Sequence, residues 1–513
     1  MPISLKLPAL DDNPILLAET RPSKISEFIE NLPYGDPIRA AGDLVEELQI
    51  INSQKVAFSN RINALELYRP AAIQIHHTLI PHFSGASLPL SKNELAFAKA
   101  AEYLWQEIAY GYKSALVDLQ NKILNINNSK STALVVQRAI HALKEISFIN
   151  YLMYHIPSSA IWSELHQLYF CALQQSAEKI KVKETLADVV ESSVNETYIQ
   201  VLLLSLTNPF HLTNADIVKA DAYLARISAD AELRPLGFIE DPTGIFLINL
   251  DSNKPPTAFV KNRDLPNNET DILLVTVNLA RRIHTHLKTL QGGAVPSDNS
   301  LPKTAIKENY EDLLAQLIKH FGKAPLRFFT RSKRSDGIEL AVGMQAAHHF
   351  IPKTGVEIKR LLAPGTAHHP SRWQILNVSA GGYALRKFNS SQVNLYVGDI
   401  AAIKNSKTLS WELGVLRWAV VNELNQLDAG FELISPAATA INVESANATA
   451  TSIGLLLPEL SALKQTASII VPYGSYTLGE TLTLTDKDVT TKVLITKLVE
   501  RTATFERFQF SLI

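Results

Sequence analysis

The chain has 513 residues, of which 46% are hydrophobic and 19% charged, and a formal net charge of −1. That length calls for roughly two to four domains with large cores, and that composition excludes a largely disordered chain. The near-zero charge excludes a global pull toward nucleic acid or a membrane surface, so any anion must be held by a local patch.

The single cysteine, Cys171, excludes an internal disulfide and a cysteine-cluster metal site. It reads as a buried core thiol. Met1 to Pro8 opens no apolar run of signal-peptide length, and no stretch of about 18 apolar residues follows. The expectation is a cytoplasmic protein with no transmembrane segment.

Residues 1–229 are expected to form an all-α domain. Asp36-Pro37 supplies an N-cap and a first-turn proline for a helix to about Ile51. Ser91-Lys-Asn-Glu94 is a capping-box pattern, and it opens an amphipathic stretch through Phe97, Ala101, Leu104 and Ile108 toward Leu124. Further helices are expected over about 131–155, 160–179, 194–207 and 213–228. Helices of this length with short polar joints form a bundle or a solenoid-like stack, although no fixed-period repeat is present. Such a region either docks a protein partner or only supports the rest.

Residues 230–320 read as a mixed α/β connecting region. Ile245-Phe-Leu-Ile-Asn-Leu250 is a strand after the turn Asp241-Pro-Thr-Gly244. The segment 272–290 starts as strand or helix and is helical by its Leu279, Ile283, Leu287 spacing, and 304–321 is a last helix.

In residues 321–440 the period changes to two. Short strands are expected at 337–342, 373–378, 383–386, 394–403, 411–421 and 430–434, which together imply a small antiparallel barrel. This segment holds 14 lysines and arginines against 8 acids, a net of +6 in a chain whose remainder carries −7. Residues 441–513 offer further strands at 468–471, 476–484, 492–495 and 508–513, as an extension of that barrel or as a second β subdomain.

Within the basic segment lie Arg327-x-x-x-Arg331, with Lys333 and Arg334 close behind, and then Asn377-x-Ser379-x-x-Gly382 between two strands. An arginine fork pairs bidentately with phosphate oxygens or with guanine O6 and N7, and also stacks on a base. Asn377 and Ser379 add short hydrogen-bonding groups, and Gly382 permits a turn or a close approach.

These motifs, with Val397-Gly398-Asp399, Gly414-Val-Leu-Arg417-Trp418 and Gly430-Phe-Glu-Leu433 after them, resemble the PilZ domain, a bacterial receptor for cyclic di-GMP. The resemblance covers about 325–440. It implies an α+β multidomain chain in which the N-terminal helical bundle or solenoid-like region precedes a C-terminal antiparallel PilZ-type β-barrel with a β extension. The implied ligand is cyclic di-GMP, bound by Arg327, Arg331, Arg334, Asn377, Ser379 and Gly382, with no cofactor and no nucleic acid. The implied function is a non-enzymatic receptor that changes a protein-interaction surface, through an unidentified partner of the helical region, in control of motility, pili or biofilm formation. The alternative is a ligand-independent adaptor with a degenerate PilZ domain. Against the family pattern, the gap from Arg331 to Asn377 is long, with 344–371 reading as an insertion.

Three tryptophans, Trp373, Trp411 and Trp418, have the option of stacking on guanine, but strand tryptophans of small barrels more often fill the core. Arg386 and Arg417 read as secondary ligand contacts or exposed strand charges. The pairs His76-His77, His348-His349 and His368-His369, and His284-Thr-His286, do not chelate well at helical geometry and read as core or surface imidazoles. No nucleophile-elbow, zinc-protease or phosphate-loop motif occurs.

Overall fold

The structure is a computed structural model that describes residues 4–121, 128–184, 190–237, 239–260, 270–322, 332–352, 369–388, 393–405, 410–445, 451–459 and 465–513. Its contacts divide the chain into two units, one of 1–86 and 90–326, the other of 87–89 and 327–513.

In the first unit the described helices are α1 (Pro22–Glu30), α2 (Pro37–Asn52), α3 (Phe58–Leu79), α4 (Lys92–Gln120), α5 (Ser129–Leu152), α6 (Ser159–Gln174), α7 (Val194–Leu206) and α8 (Asn214–Ile227). The expected caps form. The Asp36 side chain accepts from Arg39 N at 3.2 Å, and Ser91 and Glu94 close both halves of a capping box. Each occupies an orphan amide of a helix start. The sequence pattern does not single out α3, which continues through Pro70; its packing against α1, α2 and α4 outweighs the missing hydrogen bond.

Helix α5 lies at the centre, packed against α4, α6 and α7, and is buried on nearly every side. Several of its buried polar residues are paired. Arg138 holds Glu66 at 3.0 Å and Glu184 at 2.8 Å, and Glu184 also receives Arg69 at 2.8 Å. A short hairpin of β1 (Lys181–Lys183) and β2 (Glu191–Ser193) adjoins this cluster. Cys171 is buried on α6, and burial pushes its thiol up to about 11.

The 230–320 region is mixed as its sequence implied, with β3 (Glu232–Pro235), β4 (Ile245–Asn249), β5 (Thr257–Ala258), β6 (Asp271–Val275), α9 (Val277–Gln291) and α10 (Tyr310–Phe321). The four strands form one sheet in the order β3-β6-β4-β5. Leu274, Leu279, Ile283, Leu313 and Phe321 join the same apolar core as the helices before them. Physically this region is part of the helical unit.

The second unit begins, among described residues, with β7 (Ser332–Lys333) and β8 (Gly337–Val342), then α11 (Met344–Phe350), β9 (Ser371–Ser379), β10 (Gly382–Lys387), β11 (Ile400–Asn405), β12 (Trp411–Val421) and β13 (Leu427–Ser435). The strands run in the order β10-β13-β12-β11-β8-β9, and β9 returns to pair with β10, closing an antiparallel ring. β7 lies along the same edge of β9 as β8.

The remaining strands are β14 (Thr439–Ser445), β15 (Ser452–Leu457), β16 (Ser468–Pro472), β17 (Thr481–Asp486), β18 (Val489–Arg501) and β19 (Phe505–Leu512). Of the two arrangements left open for this segment they form the second, closing on themselves as a separate barrel, β14-β15-β16-β19-β18-β17. One face of the first barrel is covered by the second. Ile400, Ala402, Trp411, Leu413 and Val415 pack with Leu455, Leu457, Ile470 and Phe505, together with Ala347 and Phe350 of α11.

Candidate nucleotide-binding site

Strands β9 and β10 form a hairpin in which Ser379 pairs with Gly382 across Ala380-Gly381. The hairpin is pinned to β13, where Leu433 N donates to Gly381 O at 3.0 Å. Gly382 has φ +151°, and a methyl group there would stand 2.0 Å from the carbonyl oxygen of Phe431. The glycine is thus demanded by the close passage of β13.

The register builds two rows across the sheet. Lys333 pairs with Asn377, Asn377 with Ala384, Ala384 with Gly430, and Gly430 with Trp418. In the adjacent row Ser379 pairs with Gly382, and Gly382 with Glu432. Directly opposed residues of antiparallel strands project to one side of the sheet, so Lys333, Asn377, Ser379, Glu432 and Trp418 share a face. Ala384, Gly382 and Gly430 give that face a low floor.

Of the expected site residues, Asn377, Ser379 and Gly382 therefore come together. Arg334 is exposed beside them, its N–H 3.5 Å from Leu376 O. The basic residue registered with Asn377 is Lys333. Arg327 and Arg331 lie outside the described residues, as does the stretch 353–368 of the long gap before Asn377, although Ser332, the next residue after Arg331, is registered with Val378.

The tryptophans separate cleanly. Trp373 is fully buried, its Nε1 donating to Ser371 Oγ at 2.8 Å, and Trp411 is buried against Phe350 with ring centroids 4.7 Å apart. Trp418 is half-buried and lies over Gly430.

Arg386 and Arg417 are both ion-paired. Arg386 makes a bidentate pair with Asp428, at 2.6 and 2.7 Å, and Arg417 is held by Glu432 and Glu500. Sequence reasoning overlooked Glu432. Its signal was there in the strand alternation, since Glu432 is two residues beyond Gly430 and so shares its face.

His76 and His348 sit elsewhere. His76 is buried, accepts from Trp105 Nε1 at 2.9 Å, and is lowered by burial to about 3. His348 lies 3.0 Å from Ile441 O. Among the described residues no group of three or more histidine, cysteine or acidic side chains is placed to hold a metal ion.

The family model described as cyclic-di-GMP receptor FimW, middle PilZ domain, matches residues 245–364 and 363–440, which include the hairpin and both rows. The chain is a PilZ-domain protein. The PilZ region is flanked by matches to the N-terminal domain of the same receptor at 23–236 and to the FimW C-terminal β-barrel domain at 438–513. A relative, the cyclic-di-GMP receptor FimW of Pseudomonas aeruginosa, is 22% identical over an alignment of 578 positions that covers 99% of this chain and 93% of its own. The PilZ protein is thus similar along its length to a receptor, a binding protein and not an enzyme. The PilZ match starts at 245, inside the four-stranded sheet, whereas the contacts divide the chain at 326. No helix among the described residues is long and apolar enough to cross a membrane.

Proposed function

We propose that this protein is a cytoplasmic cyclic di-GMP receptor whose ligand lies on the face formed by Asn377, Ser379, Gly382 and Trp418. Arg327, Arg331 and Arg334 clamp it there. The observation that carries the reading is the pairing of β7 with the end of β9. Arg331 is one peptide step, about 3.8 Å between Cα atoms, from Ser332, and Ser332 and Lys333 are registered with Val378 and Asn377. Ser332, the residue that follows the arginine motif, is thereby held at the hairpin that carries Asn377 and Ser379.

The chemistry suits the ligand. Two phosphates need forked, permanently charged donors, which arginine supplies. Two guanines need flat partners, and Trp418 offers one above a floor with almost no side chains. Closing of the arginine segment over the dinucleotide is the switch, and it alters a surface read by a protein partner of the helical region. The similarity to a named cyclic-di-GMP receptor supports the ligand; control of motility, pili or biofilm formation follows from the family's usual roles.

Calorimetric titration of the full chain with cyclic di-GMP tests this. Binding is expected, lost in Arg331→Ala and also in Arg331→Lys, which keeps the charge without the fork. Absence of heat, together with no ligand-dependent rise in melting temperature, overturns the receptor reading in favour of a ligand-independent adaptor.

A further inference from the structure

One guanidinium links the candidate face to the C-terminal barrel. Arg417 sits on β12 at the register shift between Leu416 and Trp418. Its Nε donates to Glu432 Oε2 at 2.5 Å and its Nη1 to Glu500 Oε1 at 2.5 Å. Glu432 is registered with Gly382 of the hairpin. Glu500 belongs to β18 of the second barrel and is registered there with Arg507, a buried residue whose Nε donates to Ser468 Oγ at 2.9 Å. Burial opposes the charge on Arg417, yet Glu500 and Glu432 more than offset it and hold the guanidinium above its ordinary value.

The charges balance two against two, but they are unevenly exposed. The Glu432 side chain is 52% exposed on the face that carries Ser379, whereas that of Glu500 is 20% exposed. A dianionic ligand on that face meets a carboxylate. With Arg417 in place the carboxylate is neutralised; without it, like charges stand side by side, an arrangement that binding surfaces avoid.

We propose that Arg417 is a positioning residue for the dinucleotide, neutralising Glu432 beside Ser379 and Gly382 while Glu500 of the C-terminal barrel fixes its other edge. The second barrel then contributes to ligand affinity without touching the ligand. This rests on the reading of the face as the cyclic di-GMP site.

The test is calorimetric titration of the full chain with cyclic di-GMP at low and high salt. It compares the unaltered protein with Arg417→Gln, Glu432→Gln and the double variant, and records the melting temperature of each. Arg417→Gln is expected to bind about tenfold more weakly at low salt, with a smaller deficit at high salt because the bared Glu432 is screened. Glu432→Gln binds more tightly. The double variant recovers to within about threefold of the unaltered protein, since the neighbours act as a coupled pair. Unchanged affinity in Arg417→Gln, or a double variant as weak as that single one, overturns the inference. Should Arg417→Gln fail to fold, weaker binding by Glu432→Gln overturns it instead. No heat from the unaltered protein is a different failure, that of the receptor reading itself.

Discussion

Trp418 lies across Gly430 so closely that a methyl group on the glycine would stand 1.8 Å from the indole Nε1. The indole has a half-exposed place on the face of Asn377, in contrast to the enclosed Trp373. Trp418→Ala is therefore expected to lower cyclic di-GMP affinity by about 1–3 kcal/mol, the range of base–aromatic stacking, as read by titration. Gly430→Ala should displace the indole and weaken binding as well, with a shift in tryptophan fluorescence as its signature.

Gly382 and Ser379 face each other in the hairpin, yet their substitutions should differ in kind. Gly382→Ala sets a methyl group against Phe431 O and should destabilise the barrel by about 3 kcal/mol or more, so melting temperature and affinity fall together. Ser379→Ala should weaken binding while the melting temperature stays within about 2 °C. An unchanged melting temperature in Gly382→Ala would show that β13 does not need the glycine.

Asp399 is buried just ahead of β11, its carboxylate accepting from Tyr396 N at 2.8 Å. Burial raises it to about 6. Its ordinary value is near 4, so between about pH 4 and 6 the folded state binds more protons than the unfolded one. Stability from this group is therefore greatest below that window and is lost as pH rises through it. Asp399→Asn should flatten the pH dependence and stabilise the protein at pH 7.5 by up to about 2 kcal/mol. Denaturant titrations at pH 5 and 7.5 check both points, and an equal effect of the substitution at both pH values would refute the assignment.

Glu184 sits between two buried guanidinium groups, those of Arg69 and Arg138. Replacing one member of such a cluster strands charges away from water, so Glu184→Gln should cost about 3–5 kcal/mol. Chemical unfolding followed by far-UV circular dichroism, which reports the helices, is the measurement. A loss under 1 kcal/mol would mean that the cluster is hydrated or can rearrange.

Much of this architecture is legible from short stretches of chain. The Asp36 and Ser91 caps, the 3.6-residue periodicity of α4 and the two-residue periodicity after 330 each depend on residues a few positions apart, and the Arg-x-x-x-Arg and Asn-x-Ser-x-x-Gly patterns are local as well. Helix α3 escaped notice because Pro70 interrupts its local pattern while distant helices stabilise it.

Tertiary pairing decided the rest. Arg417 is held on one edge by Glu432 and on the other by Glu500, 83 positions away. Whether Trp418 is core or surface depends on Gly430 across two register shifts in one strand pair, and closure of the second barrel depends on β14 meeting β17. A sequence specifies which side chains alternate along a strand, but the partner opposite each is set by register, and register emerges only when whole strands bury their apolar faces together.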